Sequence, residues 1–298
     1  MRLIAQYTMR GRFQAVTVIA VFTVLSLLVA PLAYLGAGAL VLVALRHGGR
    51  EALVVGAAAL LGTGLLATLA LGSFVPAVAV ALSLWVPVTL LALVLRATGS
   101  QELAMLTAGA LSALVVVLLY IFLESPADWW RQMLEEILAP ALSGQGVTMD
   151  PQALDNIAAL MTGLVAVASM VGQLLSLWLG RWWQSVLYKP GGFGEEFRAL
   201  RLPQALALAT LVLVGVAMVA PGGFGRFAGE FAIIGMALFV FQGLAVVHAL
   251  VAKRGASVGW LFGTYVLLLV MGAPATIALG AAGMADTWID FRRKGLQD

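Results

Sequence analysis

Nine long apolar blocks separated by short polar stretches constrain this chain more than any other feature. A helix needs about 20 mostly apolar residues to cross a bilayer, and most of the blocks have about that length. Only 10% of the residues are charged, whereas a soluble domain has about 25%. The sequence therefore predicts an all-α polytopic integral membrane helix bundle. The blocks cover residues 13–30, 32–45, 52–71, 74–95, 103–123, 157–179, 206–220, 228–251 and 258–285.

Two apolar stretches contain helix-breaking residues near their middle. Stretch 13–45 is interrupted by Ala30-Pro31, and stretch 258–285 by Gly272-Ala273-Pro274. Proline lacks a backbone N–H and its ring clashes with the preceding turn, so each stretch is predicted to form two segments. We expect about 8–10 membrane segments, the lower number applying if one pair is an irregular hairpin. The two breaks have two possible interpretations. They are broken helices that line a site, as in transporters, or the prolines lie in tight turns between helices.

The basic residues predict the orientation of the chain. With the N-terminus in the cytoplasm, fifteen of the 17 Lys and Arg residues fall on the cytoplasmic side, and only Arg131 and Arg226 fall outside. Cytoplasmic loops of membrane proteins carry an excess of Lys and Arg. We therefore expect a single membrane domain over residues 1–298, with both termini cytoplasmic.

The composition argues against several kinds of chemistry. Cysteine is absent, and His47 and His248 are the only imidazoles, so we expect no metal site. The net charge is only +3 and the basic residues are scattered, which is not typical of nucleic-acid binding. No catalytic or nucleotide motif stands out in the sequence. We therefore expect no enzymatic activity, no cofactor, and the lipid bilayer as the first partner.

The longest polar segment, residues 124–156, is acidic and is predicted to lie outside. Within it, Trp129 and Trp130 belong to an apolar stripe at helical spacing, opposite charged residues. This pattern predicts an amphipathic helix at the outer interface, where tryptophan is common. The helix is interpreted either as an interfacial anchor or as a lid over an outward-facing solute site that includes both tryptophans.

Small residues recur at every fourth position of the 157–179 block and just beyond it, at Gly172, Ser176 and Gly180. Small residues at this spacing let helices approach closely in lipid. The neighbouring helix is either part of this chain or part of a partner protein. Gln173 lies on an adjacent strip, where it either hydrogen-bonds across the interface or contacts a polar solute.

A polar segment at 181–203 is predicted to be a cytoplasmic loop. Three glycines lie in it, but no Lys-Ser or Lys-Thr follows them, so the segment is not a phosphate-binding loop. Phe193 and Phe197 are predicted to dip into the membrane interface or to bind a partner.

Further along the chain, Glu230 lies inside an apolar block. Ionisable groups in spans are functional candidates, although Arg226, one turn earlier, offers an ordinary ion pair.

Three short motifs resemble the YybS-like family of bacterial inner-membrane proteins. They are residues 188–197 (YKPGGFGEEF), 200–203 (LRLP) and 285–292 (ADTWIDFR). The family has no established activity; it groups loosely with the substrate-binding S-components of energy-coupling-factor vitamin transporters and with the rod-shape protein MreD. The resemblance implies a helical fold in the bacterial inner (cytoplasmic) membrane and favours a role in transport.

Two functional hypotheses follow. The first is a small-solute-binding or transport component whose outward site uses Glu230, Gln173, Trp129 and Trp130. The second is a non-catalytic scaffold or partner subunit of another membrane complex, which binds that complex through Phe193, Phe197 and the small residues Gly172, Ser176 and Gly180.

Overall fold

The computed structural model describes residues 1–143 and 150–294, and nearly all of these residues are helical. No strand occurs among them, so the predicted all-α class is confirmed. The helices are α1 (Arg2–Thr8), α2 (Arg12–Leu25), α3 (Leu32–His47), α4 (Gly49–Leu71), α5 (Val75–Val80), α6 (Val86–Thr98), α7 (Gln101–Phe122), α8 (Pro126–Ser143), α9 (Pro151–Tyr188), α10 (Gly192–Ala199), α11 (Gln204–Val219), α12 (Gly222–Lys253), α13 (Gly259–Met271), α14 (Ala273–Ile289) and α15 (Phe291–Lys294). A π-helical turn, Ala81–Trp85, joins α5 to α6.

In the part of the chain that the structure describes, five helical stretches are long and apolar enough to cross a membrane. They are α4, the continuous stretch Val75–Thr98, α7, α9 and α12. A sixth exists if α10 and α11, which are bent by 54°, form one broken span. Helices α2, α3 and α13 are apolar but shorter. The chain thus has the features of a multi-pass membrane protein, while the count of 8–10 segments and the cytoplasmic termini stay predictions.

Both predicted helix breaks are confirmed. Helix α2 ends at Leu25, and α3 begins at Leu32, directly after Pro31. Helix α13 ends at Met271, and Gly272 separates it from α14 with a backbone φ of 56°. Because an L side chain rarely adopts that φ, glycine is favoured at this sharp turn, and the proline that follows fits the first turn of the next helix.

The helix predicted in the external segment is present, and the predicted loop 181–203 contains helices as well. Helix α8 starts at Pro126 within the predicted external segment, of which residues 144–149 lie outside the described residues. The predicted loop 181–203 contains the last two turns of α9 and all of α10. Arg181 does not interrupt α9, because no proline or glycine follows until Pro190. There the helix has ended, and Gly191 has a φ of 86°.

Contacts between Cα atoms divide the chain into two compact units. The first consists of Met1–Ala108 and Ser169–Leu200, and the second of Gly109–Ala168 and Arg201–Asp298. Helices α7 and α9 therefore contribute residues to both units.

Helix α3 lies at the core of the first unit. Ten consecutive residues, from Gly36 to Leu45, are buried, so this helix is covered on all sides. A helix that is apolar all round is typical of the interior of a bundle. Gly38 has no room for a side chain, because a Cβ there would lie 2.9 Å from the side chain of Leu179 on α9.

Helix α12 has the same central place in the second unit. It packs against α11 on one side and α14 on the other. Glycines make both contacts close: a Cβ on Gly235 would overlap Thr210 of α11, and a Cβ on Gly283 of α14 would overlap the backbone of α12 at Phe239. Small residues allow such close approach of helices in lipid, where dispersion contacts and hydrogen bonds hold helices together.

Candidate functional site

Glu230 is a buried carboxylate of the second unit. It lies in α12, on the same helix face as Ile234 and Leu238, and is only 3% exposed. That face packs towards α7, where Gly109 is so close that a Cβ on it would lie 2.8 Å from the Leu238 side chain. The helix geometry thus carries a carboxylate into an apolar contact between helices.

Arg226 does not neutralise Glu230. The two residues are one helical turn apart, but Arg226 is exposed and makes no ion pair with the carboxylate. The Oε2 atom of Glu230 is buried and has no hydrogen-bond partner among the described residues. Burying a carboxylate oxygen without a charged partner is costly, so helix packing alone does not explain this residue.

Gly163 of α9 makes the space that the carboxylate occupies. A Cβ at position 163 would overlap Glu230 Oε2 and would lie 3.4 Å from the side chain of Ile233. The absence of a side chain at this one position of α9 therefore lets Glu230 lie directly against the α9 backbone. Nothing in the apolar sequence around Gly163 distinguished it from other glycines of the chain.

Trp130 contacts the residue of α9 next to Gly163. Its indole Nε1 donates a hydrogen bond of 3.0 Å to Thr162 Oγ1, and the tryptophan is 8% exposed. Trp129 packs edge-on against the Trp130 ring, with ring centroids 4.6 Å apart, but is itself 41% exposed. The two tryptophans predicted to act together therefore have different environments, because consecutive helical residues point about 100° apart.

Aromatic rings cover the α7 side of the same region. Tyr120 of α7 packs edge-on against Phe227 of α12, and Phe227 packs against Phe231, with centroid distances of 4.9 Å for both pairs. Phe227 and Phe231 flank Glu230 in sequence. Glu230, Trp130, Thr162 and Gly163, together with these aromatic residues, are called the Glu230 cluster below. Its chemistry is that of one carboxylate in apolar and aromatic surroundings.

Gln173 belongs to the other unit and has its own environment. Its Nε2 atom donates to Ser169 Oγ at 3.0 Å, one turn earlier in α9. Its Oε1 atom is buried and has no partner among the described residues. Gln173 therefore has one unused acceptor, and its contact with a solute stays a prediction.

The small-residue stripe of α9 packs against α3 of the same chain. A Cβ on Gly172 would lie 2.7 Å from the ring of Tyr34, and a Cβ on Gly180 would lie 2.7 Å from the carbonyl oxygen of Gly38. Ser176 lies between them, is fully buried, and donates to the Gly172 carbonyl oxygen at 2.8 Å. These three residues therefore pack helices within the chain, and the binding of a partner protein through Gly172, Ser176 and Gly180 stays a prediction.

Phe193 and Phe197 lie on α10 and are partly exposed. Phe197 packs edge-on against Trp178 of α9, with ring centroids 5.3 Å apart, and Phe193 lies beside Phe197 at 6.0 Å. An ion pair between Arg181 and Glu196 fixes the same helix to α9, and Gln101 donates to Glu196 at 3.0 Å. Each ring is partly exposed, and the binding of a partner through Phe193 and Phe197 stays a prediction.

Sequence reasoning missed the partner of Asp286. This aspartate of α14 is fully buried; it accepts hydrogen bonds from Gln242 at 3.1 Å and from Arg292 at 2.6 Å. Gln242 in turn accepts from the backbone N–H of Leu202 at 2.7 Å. Arg201 pairs with Asp290 at 3.1 Å. The motifs at 200–203 and 285–292 are thus in contact, and their polar groups are paired.

Comparison with known proteins gives no match for this chain, whether with family models, with curated proteins or with solved structures. The resemblance to the YybS-like family therefore rests on its three motifs and stays a prediction. Among the described residues, no group of three or more His, Cys, Asp or Glu side chains is arranged to hold a metal ion.

Proposed function

We propose that this chain is a small-solute-binding or transport component of a membrane, with Glu230 at its solute site. The observation that carries the proposal is the buried Glu230 carboxylate, which lies in the candidate span Gly222–Lys253 without a cationic partner among the described residues. Ionisable residues inside spans are rare, and they usually belong to proton relays or to substrate and ion pathways.

The chemistry of the Glu230 cluster suits a small solute with a positively charged group, or a solute that moves with a proton. In apolar surroundings a carboxylate gains most by taking up a proton or by binding a cation, since either removes its uncompensated charge. Solute sites are mostly apolar, with a few polar groups that orient the ligand. Trp130, Tyr120 and Phe227 supply the apolar part, and the resemblance to vitamin-transporter S-components favours an aromatic or vitamin-like solute from outside the bacterial cell.

The test is to purify the protein in a mild detergent and to identify by mass spectrometry the small molecules and proteins that accompany it. The wild type is compared with Glu230→Gln, which keeps the shape of the side chain but removes its charge. Glu124→Gln is the matched control, because Glu124 is exposed and lies outside the helices. Circular dichroism and gel filtration show whether each variant keeps its fold.

The proposal is supported if a small molecule is bound by the wild type and by the control variant Glu124→Gln, but not by Glu230→Gln. Equal retention by both variants rules out Glu230 as the solute-binding group. If no small molecule is found and a protein accompanies the chain in fixed ratio, the scaffold hypothesis replaces the transport hypothesis.

One observation favours the second hypothesis, in which the chain is a scaffold or partner subunit. Helix α13, Gly259–Met271, has no buried residue, although its side chains are mostly large and apolar. Helices that associate in membranes use small residues to approach each other, and a Cβ on Gly263 would meet no atom within 4 Å. Loss of a co-purifying protein on Gly263→Leu, or on Phe197→Ala in α10, would support this hypothesis; retention in both would count against it.

A further inference from the structure

A surface groove of about 320 Å³ runs between helices of the first unit. One wall is formed by α4 from Ala52 to Leu60, and the other by the π-helical turn and α6 from Ala81 to Leu93, while Leu40 of α3 contributes to the lining. Thr89 is the only one of the lining residues with a hydroxyl group, and the others are apolar or aromatic. At about 1.5 Å per residue, the α4 wall is about 12 Å long.

The groove is open towards the surface that the bilayer covers in a membrane protein. Leu53 on one wall is 69% exposed and Val86 on the other is 59% exposed. Between them, the small residues Gly56 and Ala57 leave space on the α4 side of the groove. A Cβ on Gly56 would lie 3.7 Å from its nearest neighbour, a side-chain atom of Leu40. A chain of methylene groups can therefore enter from the side, without passing through the interior of the bundle.

Two arginines lie at one end of this groove. Arg96 follows Leu93 by one turn of α6, and Arg50 precedes Ala52 by two residues at the start of α4. Arg96 is held in place, since its Nη1 donates to the carbonyl oxygen of Leu45 at 2.7 Å and its Cζ would lie 3.7 Å from a Cβ on Gly48. The groove thus ends where the α3–α4 turn and the end of α6 meet.

Neither arginine forms an ion pair with a described carboxylate. Glu51, which is next to Arg50 in sequence, pairs instead with Arg12, at 2.6 Å between Nε and Oε1. Arg50 and Arg96 make no ion pair among the described residues, and both are exposed. This end of the groove therefore carries an excess of positive charge.

Trp85 lies in the opposite half of the groove. It is the last residue of the π-helical turn, a rare conformation that often occurs at functional sites. The indole is 3% exposed, and its Nε1 has no hydrogen-bond partner among the described residues. The features that point to a ligand are therefore the open apolar groove and the two arginines at its other end.

We propose that this groove binds an anionic phospholipid, with one acyl chain between α4 and α6 and the headgroup phosphate at Arg50 and Arg96. Guanidinium groups bind phosphate oxygens in a forked geometry, and basic sites between membrane helices bind anionic headgroups. A zwitterionic lipid fills the same groove but carries no net charge for the two arginines to neutralise. The proposal is independent of the solute site at Glu230.

Native mass spectrometry of the full chain in detergent tests this site. Phosphatidylglycerol and phosphatidylcholine with identical acyl chains are added separately, and the lipid-bound fraction is measured at each concentration. The wild type is expected to bind phosphatidylglycerol more tightly. Arg50→Gln should weaken that binding about fivefold, because one basic residue near an anionic headgroup has an effect of that size, and should leave phosphatidylcholine binding unchanged.

Two further variants separate the groove from general surface charge. Gly56→Leu fills the groove and should reduce the binding of both lipids, whereas Arg254→Gln removes an exposed arginine of the other unit and should change neither. Arg50→Gln is preferred to a change at Arg96, since Arg96 also stabilises the end of α3. Equal affinity of the wild type for the two lipids overturns the proposal, and so does an equal loss in Arg50→Gln and Arg254→Gln.

Discussion

Gln242 of α12 donates its side-chain amide to Asp286 of α14 across 3.1 Å, although 44 positions separate the two residues in the chain. Both side chains are fully buried. The oxygen of the same amide accepts the backbone N–H of Leu202, so Gln242 joins three segments with one side chain. Such a fully paired buried network stabilises a particular arrangement of helices, because each alternative arrangement leaves polar groups unpaired.

Asp286→Asn should destabilise the second unit. The change removes the negative charge that Arg292 faces at 2.6 Å and converts one acceptor oxygen into a donor group. Leaving buried polar groups unpaired costs about 1–3 kcal/mol, so we expect a loss of that size in the free energy of unfolding, measured by circular dichroism in detergent. Asp155→Asn is the control: its ion pair with Arg131 is half exposed, and such pairs contribute less than about 1 kcal/mol. Equal losses in the two variants would contradict this role of Asp286.

Local chemistry made the helix breaks predictable. Pro31 and Pro274 act on the turn in which they lie, so their effect needs no knowledge of the fold. The α9 stripe of Gly172 and Gly180 was predictable for the same reason, as far as close packing is concerned. The helix that packs against this stripe was not predictable, because the sequence does not show that Tyr34 of α3 lies opposite Gly172.

Pairings between distant segments were not predictable. Glu230 stood out in an apolar block, but Gly163, which makes room for it, looks like any glycine of a membrane helix. Trp85 gave no signal either, since the π-helical turn that contains it is as apolar as the helices on each side. These features arise from the approach of whole helices, and a single sequence carries only the local part of that information.

Gly163→Ala should disturb the Glu230 cluster. The added Cβ overlaps Glu230 Oε2, so the carboxylate or the α9 backbone must move. Overpacking of this kind costs about 1–3 kcal/mol, measured as a lower free energy of unfolding. The double variant Gly163→Ala/Glu230→Ala should recover much of the loss that Gly163→Ala causes, because the overlapping atoms are gone. Gly62→Ala is the control, since a Cβ there meets nothing within 4 Å. If the effects of Gly163→Ala and Glu230→Ala simply add in the double variant, the overlap with Glu230 Oε2 is not the cause of the loss.

Trp130→Phe should lower the free energy of unfolding more than Trp129→Phe does. The change removes the hydrogen bond to Thr162 Oγ1 but keeps an aromatic ring, and a net loss of about 1 kcal/mol in unfolding free energy is expected. Trp129→Phe, at the more exposed neighbour, should change it by less than about 0.5 kcal/mol. A double-mutant cycle of Trp130→Phe with Thr162→Val measures the coupling directly. Additive effects would mean that the hydrogen bond contributes nothing to stability.

Gly180→Ala should weaken the packing of α9 on α3. Its Cβ would lie 2.7 Å from the carbonyl oxygen of Gly38, and because that atom belongs to the backbone, no change of side-chain rotamer relieves the contact. We expect a loss of about 1–3 kcal/mol in unfolding free energy and a lower midpoint of thermal unfolding in detergent. Gly215→Ala in α11 is the matched control, because a Cβ there meets nothing within 4 Å, and alanine favours the helix by up to about 1 kcal/mol over glycine. If Gly180→Ala is as stable as Gly215→Ala, the two helices do not approach each other as closely as the glycine stripe requires, and the stripe is available as a surface for a partner protein.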